Sequence, residues 1–476
     1  MSFLSTLKNN HARNLQTFRK QPLAEIAGSL GDLGTLLPLM IALTLSGSIS
    51  LPSTLVFTGL ANIVTGVVFG LPLPVQPMKA IAAVAIARRF SISENMAAGM
   101  TVSIVVLIMS VSGLLEWFSR VIPVPVVKGI QVGAGLSLVL SAGTGLLGPL
   151  GWMESGWADN YFWALGAFFF LLFVTSMEKR RERGVLIPYA LIVFIIGLII
   201  AGTQLRTSKQ DKTPTGSPTT HPPQLWHPTP HLPHLKHFYT TLSASLGQLP
   251  LTTLNSIIAV THLSADLLPT TTTPPPTPTS LGLSIATMNL AGCSFGAMPT
   301  CHGSGGLAAQ HRFGARSGAS VVFLGLLKLA LGLFVGENVV VVLLRCFPKS
   351  ILAIMVMAAG VELARVGESL NVGARDLWVV SREGGGGGGG GMVGGGMVGG
   401  AGVGGGMVKR ELSEEERRER WSVMLVTVAG LLAFRNDAVG FLAGLCWHCG
   451  LRAEQIWARR GRGRREGERE RERLLG

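Results

Sequence analysis

Charged residues are scarce in this chain of 476 amino acids, in which Asp, Glu, Lys and Arg together make up 14%. A soluble domain carries roughly 25%. The deficit falls in long uncharged runs, and between Leu33 and Ala87 the one charged residue is Lys79. Several runs reach the length of about 20 apolar residues that a helix needs to cross a membrane. The composition therefore excludes a soluble globular protein and predicts an all-α, polytopic membrane protein.

Cysteine is also scarce, and the five cysteines lie in or beside apolar segments. An odd, intramembrane set does not make a disulfide framework. Cys446 and Cys449 resemble half of a metal or redox site, but the sequence has no second pair, so packing is the favoured role. The sequence also lacks a nucleophile–base pair, a metal cluster and a nucleotide-binding loop. We therefore expect no enzyme activity, no cofactor and no metal.

The formal net charge is +14, but the location of the basic residues argues against a nucleic-acid partner. They cluster before the first apolar run, at residues 179–183 between two other runs, and in an arginine-rich tail. Basic residues beside membrane segments mark cytoplasmic loops. Both termini are therefore expected in the cytosol, which requires an even number of crossings. Lys128, at the start of its helix, is interpreted as an anchor at the membrane interface.

Low-complexity stretches divide the chain into membrane and non-membrane parts. The predicted parts are a cytosolic segment (residues 1–22), a first membrane repeat (23–205), a loop rich in Pro, Thr and His (206–240), a second membrane repeat (241–450) interrupted by a glycine-rich loop (384–407), and a basic cytosolic tail (451–476). The two loops cannot bury enough surface to offset their ordering entropy. The glycine-rich loop is interpreted as a tolerated insertion.

An internal repeat is the most informative feature. The sequence GDLGT at residues 31–35 opens an early helix, and GQLPL at residues 247–251 opens a later one. One span further on, each half has a short segment interrupted by Pro and Gly, at residues 70–85 and 295–310. Paired broken helices in matching positions are the best sequence indication of a secondary transporter's site. Because an odd number of segments falls in each half, the repeats are expected to be inverted in the membrane.

The interrupted segments are predicted to be extended strands that lead into half-helices. Aligning Pro74 with Pro299 places Gln76 within one residue of His302. Pro and Gly interrupt a membrane helix only where the freed backbone groups line a cavity or find protein partners. The N-terminal N–H groups and positive dipole ends of two half-helices would then face each other, which suits an anion. The alternative is that the breaks are kinks packed between helices.

Candidate ligands for the anion are the polar residues and the close-approach glycine nearest to the two breaks. They are Gln76, Lys79, Gln248, His302, Gly303 and Ser304. Asp32 is the candidate coupling residue, because an intramembrane carboxylate is costly and functional by default. It could cap the helix dipole, pair with Lys79 or carry a proton. A purely structural role stays open for His302.

The sequence resembles the molybdate transporter family, a branch of the sulfate permease superfamily, in four stretches. They are GSLGDLGTLLPLMIALTL, PVQPMKAIAAVAIA, SFGAMPTCHGSGGLAAQHRFGARSG and RNDAVGFLAG. The resemblance covers residues 23–205 and 242–450. It implies two inverted seven-helix repeats, in which helices one to four and eight to eleven form a core domain. That core would carry the half-helices and the matching site residues, and would slide against a gate domain.

The expected function is secondary transport of a tetrahedral oxyanion, molybdate first, by alternating access, with proton coupling left open. The alternatives are a sulfate transporter of the same fold and a channel or receptor without coupled transport. The expected partners are the oxyanion and the lipid bilayer, and a homodimer is left open. Residues Glu470 to Leu475 match an acidic dileucine sorting pattern, which favours a vacuolar membrane over the plasma membrane.

Overall fold

The computed structural model describes residues 3–31, 33–153, 156–180, 188–210, 226–230, 233–268, 275–335, 342, 345–380 and 407–453. The coupling candidate Asp32 lies outside the described residues. So do residues 211–225 and 231–232 of the loop rich in Pro, Thr and His, the glycine-rich tract, and the arginine-rich end of the tail with its sorting pattern.

The first half of the chain consists of helices interrupted by one short strand. The elements are α1 (Phe3–Lys20), α2 (Pro22–Ser29), α3 (Leu33–Leu45), α4 (Leu51–Phe69), β1 (Val75–Pro77), α5 (Lys79–Arg88), α6 (Ile92–Val111), α7 (Leu114–Val121), α8 (Val124–Ser141, continued by a π-helical turn, Ala142–Leu147), α9 (Tyr161–Arg180) and α10 (Tyr189–Gln210). Gly113 has a φ of +75°, a left-handed conformation that glycine adopts at little cost. It divides the apolar run over residues 97–118 into α6 and α7.

The second half likewise consists of helices interrupted by a short strand, and it adds a second pair of strands. Its elements are α11 (Leu235–Pro250), a π-helical stretch (Leu251–Ala259), α12 (Val260–Leu267), α13 (Pro278–Cys293), β2 (Thr300–His302), α14 (Ser304–Arg312), α15 (Ala319–Phe334), α16 (Lys349–Arg365, continued by a 3₁₀ turn, Val366–Asn371), β3 (Trp378–Val380), β4 (Met407–Lys409), α17 (Glu414–Phe434) and α18 (residues 437–453). Pro250 lies inside a helix, where its missing N–H disrupts regular α-helical bonding. The π-helical stretch begins at the next residue.

Helix length and composition agree with a membrane protein. In the described parts of the chain, four helices are long and apolar enough to cross a membrane: Leu51–Phe69, Ile92–Val111, Val124–Leu147 and Lys349–Asn371. Shorter apolar helices are Tyr161–Met177, Tyr189–Leu205 and Ala319–Phe334. The two interrupted segments are strands followed by half-helices, as the positions of Pro and Gly predict.

The two halves pack against each other in a matching pattern. Helix α4 contacts α15, α6 contacts α13, and α8 contacts α16. If α4 corresponds to α13, α6 to α15 and α8 to α16, exchanging the halves interchanges the first two contacts and leaves the third in place. Small residues allow the backbones to approach closely: a Cβ added at Gly59 would lie 2.8 Å from the carbonyl oxygen of Gly325, and one at Gly360 would lie 2.6 Å from that of Gly135. The inverted orientation of the repeats in the membrane stays a prediction.

Lys128 forms a buried ion pair, so its interpretation as an interfacial anchor was wrong. Its side chain is 3% exposed, and its Nζ lies 2.6 Å from Oδ2 of Asp266 on α12. The same Nζ donates to the hydroxyl of Ser369, 2.8 Å away, in the 3₁₀ turn after α16. The start of a helix resembled an interfacial position in the sequence. The partners are 138 and 241 residues away along the chain, and only the packing of three elements brings them to Lys128.

Candidate functional site

The centre of the candidate site is a two-stranded antiparallel ribbon formed by β1 and β2. Val75 pairs with His302, Gln76 with Cys301, and Pro77 with Thr300. Each strand is buried along its whole length. The ribbon therefore joins the two interrupted segments in the protein interior, and the chain leaves it through α5 on one side and α14 on the other.

Two asparagines on apolar helices hold the strands in place. The Val75 N–H donates to Oδ1 of Asn62 on α4, at 2.8 Å, and the Thr300 N–H donates to Oδ1 of Asn289 on α13, at 2.7 Å. When Pro74 is aligned with Pro299, Val75 and Thr300 are equivalent positions. The two halves thus satisfy the same backbone group with the same residue type, in agreement with the repeat predicted from the sequence.

The two half-helices begin without side-chain caps. Met78 is the N-cap of α5 and Gly303 that of α14, and neither makes a side-chain capping hydrogen bond. The first N–H groups of a helix have no partner within the helix, and the helix dipole places partial positive charge at that end. Two such ends on either side of one ribbon create a region that favours negative charge.

Gln76 lies over the first turn of α14. A Cβ added at Gly303 would overlap the Gln76 carboxamide oxygen, and one at Gly306 would lie 2.6 Å from its nitrogen and 2.7 Å from Cγ of Pro74. Glycine at both positions therefore allows the first turn of α14 to run directly beneath this side chain. Gln76 is 1% exposed, so the structure brings Gln76 and Gly303 together as the sequence analysis expected.

Gln248 and Ser304 also lie at the half-helix ends, and each is bonded to another part of the protein. The Gln248 Oε1 accepts the Ala80 N–H in the first turn of α5, at 2.9 Å, and its Nε2 donates to Oγ1 of Thr252, at 2.9 Å. Both ends of the Gln248 carboxamide are therefore engaged, one with α5 and the other with Thr252 in the π-helical stretch. The Ser304 hydroxyl donates to Oδ1 of Asn255, a residue that the sequence analysis did not single out.

His302 lies on the other face of the ribbon from Gln76. Side chains alternate between the two faces of a strand, and Gln76 is opposite Cys301 whereas His302 is opposite Val75. The His302 ring is completely buried, with Nε2 2.9 Å from the hydroxyl of Ser284 on α13. This placement favours a structural role, the alternative that the sequence had left open.

Lys79 is the first residue of α5 and is half-buried. A carboxylate that interacts with it electrostatically belongs to Asp437, at the start of α18. Asp437 lies in the RNDAVGFLAG stretch but was not proposed as a site residue. Asp32, the other predicted partner of Lys79, lies outside the described residues.

The site residues missed in the sequence share one signal. Asn62, Asn255 and Asn289 are amides in otherwise apolar helices, and all three are buried. A polar side chain in such a position is costly unless it has partners. That cost could have marked them as candidates, but their partners are up to 49 residues away along the chain.

Comparisons with known proteins cover most of this region. A family model described as "Molybdate transporter of MFS superfamily" matches residues 24–138 and 240–363. Molybdate transporter 2 of Arabidopsis thaliana is 37% identical over 398 residues, covering 74% of this chain and 80% of that protein. Molybdate transporter 1 of Chlamydomonas reinhardtii is 30% identical over 473 residues, covering 77% of this chain and 88% of that protein. The relatives are named transporters rather than enzymes.

Solved structures show the fold. The murine Solute Carrier 26 family member A9 anion transporter, in its inward-facing state, superposes with a TM-score of 0.56 at 13% identity, covering 93% of this chain and 71% of that one. Another structure of this transporter gives a TM-score of 0.54 at 14% identity and covers 92% of this chain. This chain in turn spans 66% of the transporter's length, just under two thirds. The predicted polytopic helical fold is confirmed. On the family match and the relatives' identities together, this chain belongs to the molybdate transporter family.

Proposed function

We propose that this anion transporter carries molybdate by alternating access, with the oxyanion held at the N-termini of α5 and α14. The observation that carries the proposal is the pair of half-helix ends whose own N-cap residues make no side-chain hydrogen bond, joined by one ribbon and overlain at α14 by the Gln76 carboxamide. Glycine at positions 303 and 306 lets the backbone and this amide approach one ligand from adjacent directions. The relatives named as molybdate transporters support the choice of substrate.

Binding a dehydrated anion requires more favourable interactions than the two helix ends provide. A helix terminus contributes up to about 2 kcal/mol to binding a charge in a partly buried setting. Removing an isolated charge from water into an apolar medium costs tens of kcal/mol by a simple solvation estimate. Gln76 and Lys79 are the proposed additional ligands, as a neutral donor and a compensating charge. Ser304 is a proposed ligand through its backbone N–H, Gly303 permits the approach, and Gln248 and His302 are assigned positioning roles.

Competitive uptake tests this function. Proteoliposomes that contain the purified chain should accumulate labelled molybdate, and an equal concentration of unlabelled sulfate should reduce this uptake by less than half. Molybdate inside the vesicles should accelerate the entry of labelled molybdate, since a transporter exchanges substrate across a sealed membrane. Equal transport of both anions would favour the sulfate transporter, and the absence of counterflow would favour a channel or receptor.

Asp32 is proposed to couple transport to protons. An intramembrane carboxylate is costly, and proton transfer is one of its recurring uses. The Asp32→Asn variant should lower molybdate uptake and flatten its dependence on pH, measured from about pH 5 to 8, a range that spans common shifts of carboxylate and histidine groups. Asp159→Asn, outside the site, serves as the control. Wild-type uptake by Asp32→Asn at every pH would remove Asp32 from the mechanism.

The protein is proposed to lie in the vacuolar or the plasma membrane, with both termini in the cytosol. Each strand is counted with its half-helix as one segment, α2 and α3 are counted as one, and so are α11 and α12. The described chain then has seven segments from α2 to α10 and seven from α11 to α18, with α1 and α7 outside this count. An even number returns the chain to the side on which it began. The basic residues before α2 then fall on the cytosolic side, as the distribution of positive charge predicts.

A further inference from the structure

Asn255 lies in the segment that bonds to both half-helices. It belongs to the π-helical stretch Leu251–Ala259. Gln248, three residues before the start of that stretch, accepts a hydrogen bond from the first turn of α5. The Asn255 Oδ1 accepts a hydrogen bond from the hydroxyl of Ser304, the first residue of α14. The next residue, Ser256, donates to Sγ of Cys301 in β2, at 3.2 Å. π-Helical turns within helices are frequently found at functional sites, and this one places Asn255 at the junction of the ribbon and α14.

The hydrogen bonds of Asn255 are only partly satisfied. Its residue surface is 9% exposed, and its Oδ1 accepts from Ser304. Within the part of the chain that the structure describes, the Asn255 Nδ2 group makes no hydrogen bond. A carboxamide nitrogen has two N–H donors. Because the Asn255 Oδ1 is engaged with Ser304, these donors are available to an acceptor at the N-terminal end of α14.

The other groups at this position indicate what the partner is. The N-cap of α14 is Gly303, which provides no side-chain acceptor. The Gln76 carboxamide lies over Gly303 and Gly306. The position thus collects backbone N–H groups, the positive end of a helix dipole and two carboxamides, which suits an oxyanion whose oxygens accept several hydrogen bonds.

We propose that Asn255 is a substrate-binding residue whose Nδ2 donates to an oxygen of the tetrahedral anion. Its Oδ1 meanwhile accepts the Ser304 hydroxyl, which fixes the orientation of the carboxamide. An aspartate at this position would still accept from Ser304 but would present negative charge to the anion. The inference rests on the proposed function and adds to it a ligand on a third element of the site.

Replacing Asn255 by Asp tests whether the donor of the carboxamide is needed. Asn255→Asp keeps the acceptor for Ser304 and removes the donor, whereas Ser304→Ala removes the bond and leaves the donor. If Asn255 binds the anion, Asn255→Asp should weaken molybdate binding by at least about tenfold, the loss typical of a hydrogen bond to a charged group, and Ser304→Ala should have a smaller effect. The new carboxylate also repels the anion, so this loss supports the inference together with a further loss when Asn255→Ala is added to Ser304→Ala. Asn255→Asp at wild-type affinity would overturn the inference.

The measurements are the molybdate-induced rise in melting temperature of the purified protein and the KM of uptake in proteoliposomes. The control is Asn160→Asp, since Asn160 is also buried and its Oδ1 accepts the Phe162 N–H, at 3.1 Å, at the start of α9. Aspartate keeps this cap and loses the Nδ2 donor to the Gly156 carbonyl, 3.0 Å away. The change lies outside the site and affects the free and the bound protein alike, so the molybdate-induced rise and the KM should match the wild type.

A second pair of variants keeps the inference testable if Asn255→Asp does not fold. Ser304→Ala already lacks the bond to Asn255, so adding Asn255→Ala to it removes the Nδ2 donors alone. A further loss of at least about tenfold in affinity is expected, and no further loss would overturn the inference. A wild-type protein whose melting temperature responds to neither molybdate nor sulfate would instead overturn the proposed function itself.

Discussion

Gly303→Ala should lower molybdate uptake by at least about tenfold, the loss expected when one hydrogen bond to a charged ligand is removed. The added Cβ would occupy the position of the Gln76 carboxamide oxygen. The Gln76 side chain can rotate away, so the protein should still fold, but it would no longer lie over the first turn of α14. Uptake by the variant, normalised to the amount of protein in the membrane, measures the effect.

The same site allows this mechanism to be separated from a general packing defect. Gln76→Ala alone should also weaken uptake by at least about tenfold. If Gly303→Ala acts by displacing Gln76, the double variant should lose little more uptake than either single variant, because the effects of substitutions at contacting residues are not additive. Fully multiplicative losses would mean that Gly303 serves the transporter independently of Gln76.

Gly166→Ala is the matched control for this experiment. Gly166 lies in α9, and a Cβ added there would meet nothing within 4 Å in the described structure. Alanine also favours a helix over glycine by about 1 kcal/mol, so the variant should fold and transport as well as the wild type. A tenfold loss at Gly166 would show that uptake is sensitive to any added methyl group.

Lys128→Met should lower the melting temperature of the purified protein more than any substitution of a surface charge. The change leaves the Asp266 carboxylate without the ammonium group that lies 2.6 Å from it. Removing one partner of a buried ion pair typically costs about 3 to 5 kcal/mol. The lower end applies here, because the Asp266 side chain is 16% exposed and retains some access to water.

A second substitution and a surface pair provide the comparison. Lys128→Met combined with Asp266→Leu should recover much of the lost stability, since replacing both charges by apolar groups removes the unpaired carboxylate. Arg120 and Glu116 form a pair at 3.4 Å whose side chains are 77% and 43% exposed, and such pairs contribute little. Arg120→Ala should therefore leave the melting temperature unchanged. A Lys128→Met protein as stable as the wild type would contradict the structural role of the ion pair.

Local sequence patterns were sufficient for the class of protein and for the two breaks in its helices. Apolar runs of membrane length are a property of consecutive residues, and so is the replacement of helix by an extended strand around Pro72, Pro74 and Pro77. The N-caps Met78 and Gly303 follow Pro74 and Pro299 by the same four residues. The alignment of the two halves could therefore be predicted from the sequence, because it depends on spacing along the chain.

The tertiary structure decided which of the candidate residues meet. Antiparallel pairing with Gln76 opposite Cys301 puts Gln76 and His302 on different faces of the ribbon, and a shift of one residue would have reversed this. The bonds of Asn255 to Ser304 and of Lys128 to Asp266 span 49 and 138 residues. Sequence alone determined a membrane transporter with two half-helices. The partners of its polar side chains depend on contacts between distant elements, which no local pattern encodes.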